Sequence, residues 1–295
     1  MGSTVVGLNR YPVKSMLGEA LSEIDVTTVG FLGDRAYAVV DVSTGKIASA
    51  KHPAKWSQLL QVQAAFVDAV QLGRSLPPVA MTFPDGVVVR SDDGNVNEML
   101  SAYLGREVTL ADTTPEGPVF EEVWPADVEG LAPEEFISST STTTTPEGDA
   151  ISDLALAMAA PPGTFFDLST LHLMTTSTLA ALRAAGPGAD FDVRRYRPNV
   201  LIETDDEGFV ENGWVAGTVT MGASAAAHVD LPTMRCVMTT LAQRDVPADR
   251  QTLRVVSKAN RVEITGLGVW ACAGVYASVT EPGKVQLGDP VTISS

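Results

Sequence analysis

Short strand-like runs recur along this chain, each closed by a turn signal, and this spacing limits the fold more than any other feature of the sequence. Near the start, residues 5–8, 24–29 and 35–42 have strand-like composition and strand-like length. Ser43-Thr44-Gly45 marks a turn after Asp41, with residues 46–50 as the returning strand. Met81-Thr82-Phe83 and Val87-Val88-Val89 flank Pro84-Asp85-Gly86 as a further hairpin. Between them and the next block, residues 95–104 set Val96, Met99, Leu100 and Leu104 on one helical face, closed by Gly105. Many short strands of this kind predict a small barrel or sandwich.

The pattern resumes at Phe165. Thr175-Thr176-Ser177 precedes Leu179, Leu182 and the Gly186-Pro187-Gly188 stop, which predicts a capped helix. Strand candidates follow at 199–202, 218–221, 226–230, 254–256, 262–264 and 269–279. Pro282-Gly283 then turns into 284–287 and 291–293. The fold class expected is mainly β with some helix (α+β). Three parts are expected: a β-barrel-like domain over 1–112, an acidic Thr/Pro-rich insertion or linker over 113–162, and a second β-rich domain over 163–295. A length of 295 residues fits two ordinary domains, and an apolar fraction of 45% supports a packed core.

Charge separates the middle from the rest. The chain carries 20 Lys+Arg and 36 Asp+Glu, a net −16, which argues against nucleic acid or an anionic membrane surface as partner. No Lys or Arg lies between Arg106 and Arg183, while twelve acids fall from Asp112 to Asp167, leaving 24 acids against 20 bases elsewhere. An anion-binding site outside that stretch is therefore open. Pro-Glu-Gly occurs twice in the middle, beside the run 138–145, and reads as a flexible, solvated insertion.

Two cysteines exclude a disulfide scaffold and a Cys-rich zinc or iron–sulfur module, and three scattered histidines exclude a conventional His-based metal site. The first nine residues lack a charged segment followed by a long apolar run, and no apolar stretch approaches the roughly 20 residues of a membrane span. The expected location is the cytoplasm.

Cys236 is the strongest candidate for chemistry. It follows Arg235, and a neighbouring cation favours the thiolate, which attacks electrophiles or binds soft metals; a buried, inert thiol is the other reading. Cys272, between Ala271 and Ala273, reads as core. Basic residues are scarce, so their placement informs. Lys14 and Ser15 follow Tyr11-Pro12-Val13 at a strand end, Arg35 follows Gly33-Asp34, and Arg197 precedes Pro198-Asn199 after Arg194-Arg195. Lys, Ser, Arg and Asn side chains suit a phosphate and the polar edge of a heterocycle, though each taken singly reads as a solvated charge or turn residue. The Thr175-Thr176 helix start offers N–H groups to a phosphate, or is an ordinary N-cap.

Arg10-Tyr11-Pro12-Val13-Lys14-Ser15, Gly18-Glu19, and Gly33-Asp34-Arg35 with Tyr37 and Asp41 resemble the MOSC N-terminal β-barrel domain. Phe191 to Val200 with Arg197-Pro198-Asn199, Arg235-Cys236 with Thr239-Thr240, and Pro282-Gly283 with Gly288-Asp289-Pro290-Val291 resemble the MOSC β-barrel domain itself. These are molybdenum-cofactor sulfurase C-terminal-like proteins, among them the amidoxime-reducing components. The resemblance covers all but the acidic middle.

The resemblance implies a molybdenum cofactor, a molybdopterin whose metal takes one protein thiolate, that of Cys236. It implies that Lys14, Ser15, Arg35, Arg197 and Asn199 hold the pterin and its phosphate, and that Thr175 stands where the family often places a hydroxyl. The activity implied is oxidoreductase: reduction of N-hydroxylated or N-oxygenated small-molecule substrates. Alternatives are a sulfur carrier with a persulfide on Cys236 and a non-catalytic cofactor-binding module. The chain lacks a Cys-x₄-Cys-x₂-Cys iron–sulfur pattern, so a reductase here needs a separate ferredoxin- or flavin-type electron-donor protein. Pyridoxal phosphate would need a buried Schiff-base lysine, for which Lys14 alone is a candidate.

Overall fold

Alternating apolar residues close the C-terminal block into a barrel that borrows its seventh strand from the N-terminus. The computed structural model describes residues 2–156 and 164–294. The barrel strands run in the order Leu171–Thr175, Val200–Glu203, Ser3–Arg10, Pro290–Ser294, Thr218–Met221, Ala225–Met234 and Gly268–Glu281, and the last pairs back to the first. Leu8 stands opposite Val200, and Leu171 opposite Ala277. The Leu171–Thr175 and Val200–Glu203 pair is parallel, which demands a crossover. The helix Thr176–Ala185 and the 3₁₀ turn Val193–Arg195 supply it. Val5, Leu173, Ile202, Val219, Val229 and Val275 fill the interior without solvent exposure. Each contributes about 1.5–3 kcal/mol by leaving water, and closure removes the sheet edges.

The N-terminal block has a second core of Val13, Met16, Val39, Leu59, Val62, Met81 and Leu100. Around it lie the pair Ala38–Asp41 with Val108–Ala111 and the sheet Gln63–Phe66, Val79–Thr82, Val88–Arg90. The hairpin expected around Pro84-Asp85-Gly86 is there. So is the helix, Val96–Leu104, whose C-cap Gly105 takes φ 68°. The chain is mainly β with some helix, as its turn spacing implies.

Three expectations fail. Residues 46–50 are not a strand; only Ile47 bridges, to Val40 and Phe120. Residues 254–256 lie in the helix Gln251–Ala259, because Thr252, Leu253, Val256 and Ser257 bury one helical face while the adjacent valines mimic a strand. The middle is folded, not a solvated insertion. Val119–Trp124 pairs with Ala150–Ala155, which pairs with Ser141–Thr144, and the helix Glu134–Thr140 packs alongside. Phe120, Trp124, Leu131 and Ile151 are buried. Three of its acids pair with lysines of the N-terminal block: Lys46 meets Asp153 at 2.7 Å, Lys51 meets Glu122 at 2.9 Å and Lys55 meets Glu121 at 2.6 Å. Residues 157–162 of this segment lie outside the described residues. No helix is long and apolar enough to cross a membrane.

Candidate functional site

Where the Ser3–Arg10 strand leaves the barrel for the N-terminal block, a cleft opens between the two. Its open space is ≈ 730 Å³, and Lys14, Ser15, Arg35, Arg197, Asn199 and Cys236 all line it. Residues separated by more than 200 positions in sequence thus meet at one seam.

Turn chemistry places the first group. Gly33 takes φ 83°, and a Cβ there would lie 2.7 Å from the Phe66 ring, so only glycine allows the approach. Asp34 follows and ties the seam: its carboxylate accepts from the Tyr11 amide at 2.6 Å and the Asn199 amide at 2.9 Å, and from the Arg35 guanidinium. The Asn199 side chain also accepts from the His172 amide at 3.1 Å and donates to the Asn9 carbonyl at 3.2 Å. Asn199 therefore clasps the two blocks, its amide already committed to protein partners. Ser15 accepts from the Ala50 amide at 3.1 Å, leaving its hydroxyl proton for another acceptor.

Ser15, Arg35 and Arg197 take φ of 63°, 47° and 55°, three of the five described non-glycine residues with left-handed backbone. Such conformations cost about 1–3 kcal/mol each and persist where surrounding contacts impose them, as functional sites often do. Their concentration in one cleft marks it apart from the rest of the fold.

The electrostatics point the same way. In a chain of net −16, the cleft wall holds Lys14, Arg35, Lys51, Arg195, Arg197 and Arg235 against a single carboxylate, Asp167. Lys14 and Lys51 both reach Asp167; burial opposes its ionisation, but the two ammonium groups outweigh this and hold the carboxyl far below its usual range. Arg195, fully buried, is held by Asp190 at 2.8 Å and by the carbonyls of Thr239, Leu241 and Pro247. Arg197 and Arg235 differ. Arg197 donates to the Met16 carbonyl at 2.7 Å and stacks on Tyr11 at 4.1 Å; Arg235 donates to the Tyr196 carbonyl at 3.0 Å, and its Nε has no partner. Neither forms an ion pair among the described residues. Burial, helped by repulsion from Arg35 and opposed by Tyr11, brings the Arg197 pKa down to about 10.

Cys236 lies just past the end of the Ala225–Met234 strand and starts the 3₁₀ turn Val237–Thr240. Thr239 and Thr240 close that turn on the carbonyls of Cys236 and Val237. The sulfur's residue is 8% exposed, packed beside Ala50, Leu60 and Met238. Burial raises its pKa, Lys51 and Arg235 lower it, and Glu122 raises it; burial wins, so the group rests as a thiol. The expected preference for thiolate beside Arg235 is therefore outweighed. His172, in the wall, stays neutral because burial and then Arg235 push its pKa well down. Gly274, at φ 83°, makes room for it: a Cβ would sit 2.4 Å from its Nε2.

Thr175 is not in the cleft. It is fully buried and caps the Thr176–Ala185 helix, accepting from the Thr178 amide at 3.1 Å and donating to Glu211 at 2.7 Å. The ordinary N-cap reading of that helix start holds, and Thr175 is not among the residues that line the cleft. Lys51, Asp167, His172, Arg235 and Tyr276 join the wall without having been singled out as site residues. Only the rarity of Lys and Arg pointed toward Lys51 and Arg235.

The protein is thus a seven-stranded barrel joined to a smaller β-rich block, with a cationic, cysteine-bearing cleft at the seam. Family models sharpen this: residues 2–75 match the MOSC N-terminal beta barrel domain and residues 162–292 the MOSC domain. The chain belongs to the MOSC domain proteins, a family associated with molybdenum cofactor binding. No functionally curated protein is significantly similar to it in sequence. Among solved structures, the YUAD protein from Bacillus subtilis aligns with 10% identity at a TM-score of 0.44, covering 99% of this chain and 96% of its own. YiiM from Geobacillus stearothermophilus aligns with 15% identity at 0.30, covering 43% and 55%.

Proposed function

We propose that this protein is a molybdenum-cofactor enzyme that reduces N-hydroxylated or N-oxygenated small molecules, with Cys236 supplying the thiolate ligand to the metal. One observation carries the reading: the Arg197 and Arg235 guanidiniums are buried beside Cys236 without a carboxylate of their own. A buried charge lacking a counter-ion costs several kcal/mol, which an anionic ligand offsets. The pterin phosphate is such an anion. The orphaned Arg235 Nε and the strained backbone at Ser15, Arg35 and Arg197 fit the same occupant. No group of three or more His, Cys, Asp or Glu able to hold a metal occurs among the described residues, so a metal bound at Cys236 needs donors from a cofactor.

When bound, the cofactor supplies the two-electron oxygen-atom chemistry. The protein does the rest. Arg197, Arg235 and Lys14 would hold the phosphate by charge-assisted hydrogen bonds, and Ser15 and Arg35 would hold the pterin. Cys236 would hold the metal as a thiolate, the form that Lys51 and Arg235 favour. The Tyr276 phenol, its pKa raised by burial, keeps its proton at Oη in the cleft wall. Reduction of an N–OH group to N–H consumes two electrons and two protons and releases water. The electrons come from a separate ferredoxin- or flavin-type donor, and the reading keeps the cytoplasmic location.

The test is Cys236→Ala, assayed against an N-hydroxylated amidine with molybdenum content and pterin fluorescence measured on the same sample. Activity and molybdenum are lost together while thermal unfolding stays within a few degrees. Full activity in the variant ends the proposal. A sulfur-mass adduct on Cys236 of wild-type protein lacking molybdenum marks a persulfide carrier instead. Bound pterin without turnover from any electron donor marks a storage or delivery module.

A further inference from the structure

A second cavity, ≈ 370 Å³, adjoins the cleft and shares Lys51, Asp167, Leu168, Met234, Arg235 and Tyr276 with it as a common wall. Its far side is aromatic. The folded middle contributes Phe120 and Trp124 from the Val119–Trp124 strand and Phe136 from the Glu134–Thr140 helix, and the barrel contributes Trp270. Phe136 and Trp270 meet edge-on at 4.9 Å, Trp124 and Phe136 at 5.8 Å, and Trp124 and Trp270 lie 6.1 Å apart.

The polar atoms of this wall are turned away or already used. The Trp124 indole N–H donates to the Ser152 hydroxyl at 2.8 Å, and the Trp270 N–H to the Leu267 carbonyl at 2.8 Å. The Thr140 hydroxyl donates to the Phe136 carbonyl at 2.8 Å, and Asp153 is held by Lys46. Glu122 is paired with Lys51 at 2.9 Å. An occupant therefore meets hydrocarbon at the Trp124–Phe136–Trp270 end, where the nearby carboxylates Glu122 and Asp153 are already paired, and finds cations only at the wall shared with the cleft. Both cations of the lining, Lys51 and Arg235, stand at that shared wall. A carboxylate placed among the three rings would be desolvated with no counter-ion.

We propose that this aromatic box is the specificity pocket of the enzyme. It holds the flat, uncharged aryl or heteroaryl body of the substrate, while the N-oxygenated head passes the Lys51–Arg235–Tyr276 wall toward Cys236. The proposal deepens the reductase reading and rests on it for the identity of the head group. The box itself follows from ring geometry and wall chemistry. Its ≈ 370 Å³ suits one or two fused rings and exceeds what a small aliphatic compound could fill.

The test separates box from reaction. Calorimetric titration of the purified protein uses 2-naphthamide, the anionic 6-carbamoyl-2-naphthoate and acetamide as probes, none of which can be reduced at N–O. 2-Naphthamide binds, 6-carbamoyl-2-naphthoate, whose carboxylate would lie among the three rings, binds at least tenfold more weakly, and acetamide shows no binding. Phe136→Ala weakens naphthamide roughly 10- to 100-fold. Ala155→Trp, which grows from an exposed position lining the box, blocks it without removing any packing. Molybdenum content stays at the wild-type level in both variants. Equal binding of naphthamide to wild type and both variants, or 6-carbamoyl-2-naphthoate binding as tightly as naphthamide, overturns the box. In the activity arm, both variants raise KM for 2-naphthamidoxime and leave acetamidoxime unchanged. Naphthamide binding without any N–O reduction sinks the reductase reading and leaves the box standing; reduction indifferent to both variants sinks the box and leaves the reductase.

Discussion

Met234 stands opposite Cys272 in the register of two barrel strands, and Cys236 lies only two residues further along. The two thiols nevertheless meet opposite environments. Cys272 is fully enclosed between Ala271 and Ala273, and burial, opposed only by Arg235, pushes its pKa up to about 12. Cys236 faces a wall of cations, with Lys51 and Arg235 pulling against its burial. The same contrast runs through the arginines. Arg195 is closed off with Asp190 and three carbonyls, whereas Arg197 and Arg235 spend their charge on carbonyls alone. Arg195 lines the cleft too but has a carboxylate of its own; Arg197 and Arg235 leave their charge unmatched on the side where a ligand would enter.

The arginines give the largest expected effect. Arg195→Met leaves Asp190 and the surrounding carbonyls without their donor and destabilises by about 3–5 kcal/mol. Arg197→Met and Arg235→Met, made in cofactor-free protein, leave stability unchanged or raise it by about 1–4 kcal/mol, because each removes an uncompensated buried charge. Urea unfolding of the three variants separates the classes. Equal losses in all three would mean that Arg197 and Arg235 are as well satisfied as Arg195, and the anion-site argument would go with them.

How far this contrast is legible in the sequence depends on the range of the forces involved. Local signals read well: Gly105 ends its helix, Thr175 begins one, and the turn residues 84–86 make their hairpin. The cleft residues after Tyr11-Pro12-Val13 and before Pro198-Asn199 stand out because Lys and Arg are few. The acidic middle is misread because its composition averages over Phe120, Trp124 and Leu131, and because its partners, Lys46, Lys51 and Lys55, lie more than 60 residues upstream. Pairing across that distance leaves no periodicity to find. The aromatic box is hidden for the same reason, since its rings come from the strand, helix and barrel of separate segments.

Among the cysteines the expected effect on the fold is intermediate. Cys272→Ala removes a buried sulfur from close packing and costs about 1–2 kcal/mol of stability, with molybdenum content unchanged. Cys236→Ala does the reverse, sparing the fold and losing the metal. Thermal unfolding and elemental analysis on both proteins decide it. Metal lost from Cys272→Ala while the fold stays intact would assign the thiols the wrong way round.

The smallest effect sharpens the boundary of the cleft. Thr175→Ala removes the helix cap and costs about 1 kcal/mol, with cofactor content at the wild-type level, and Thr175→Ser restores it. The loss grows with pH. Burial holds the Glu211 carboxyl above its usual range, and the Thr175 hydroxyl opposes that rise. A carboxyl raised in the folded state contributes stability that is complete below its unfolded pKa and falls as pH climbs through the folded one. Without the hydroxyl the folded pKa moves higher still; the unfolded carboxyl is common to both proteins, so the deficit widens as pH climbs past the raised folded pKa of the wild type. Chemical unfolding of both proteins at pH 5 and pH 8 measures it. A deficit that shrinks at pH 8, or a variant that loses molybdenum at unchanged stability, would return Thr175 to the ligand set.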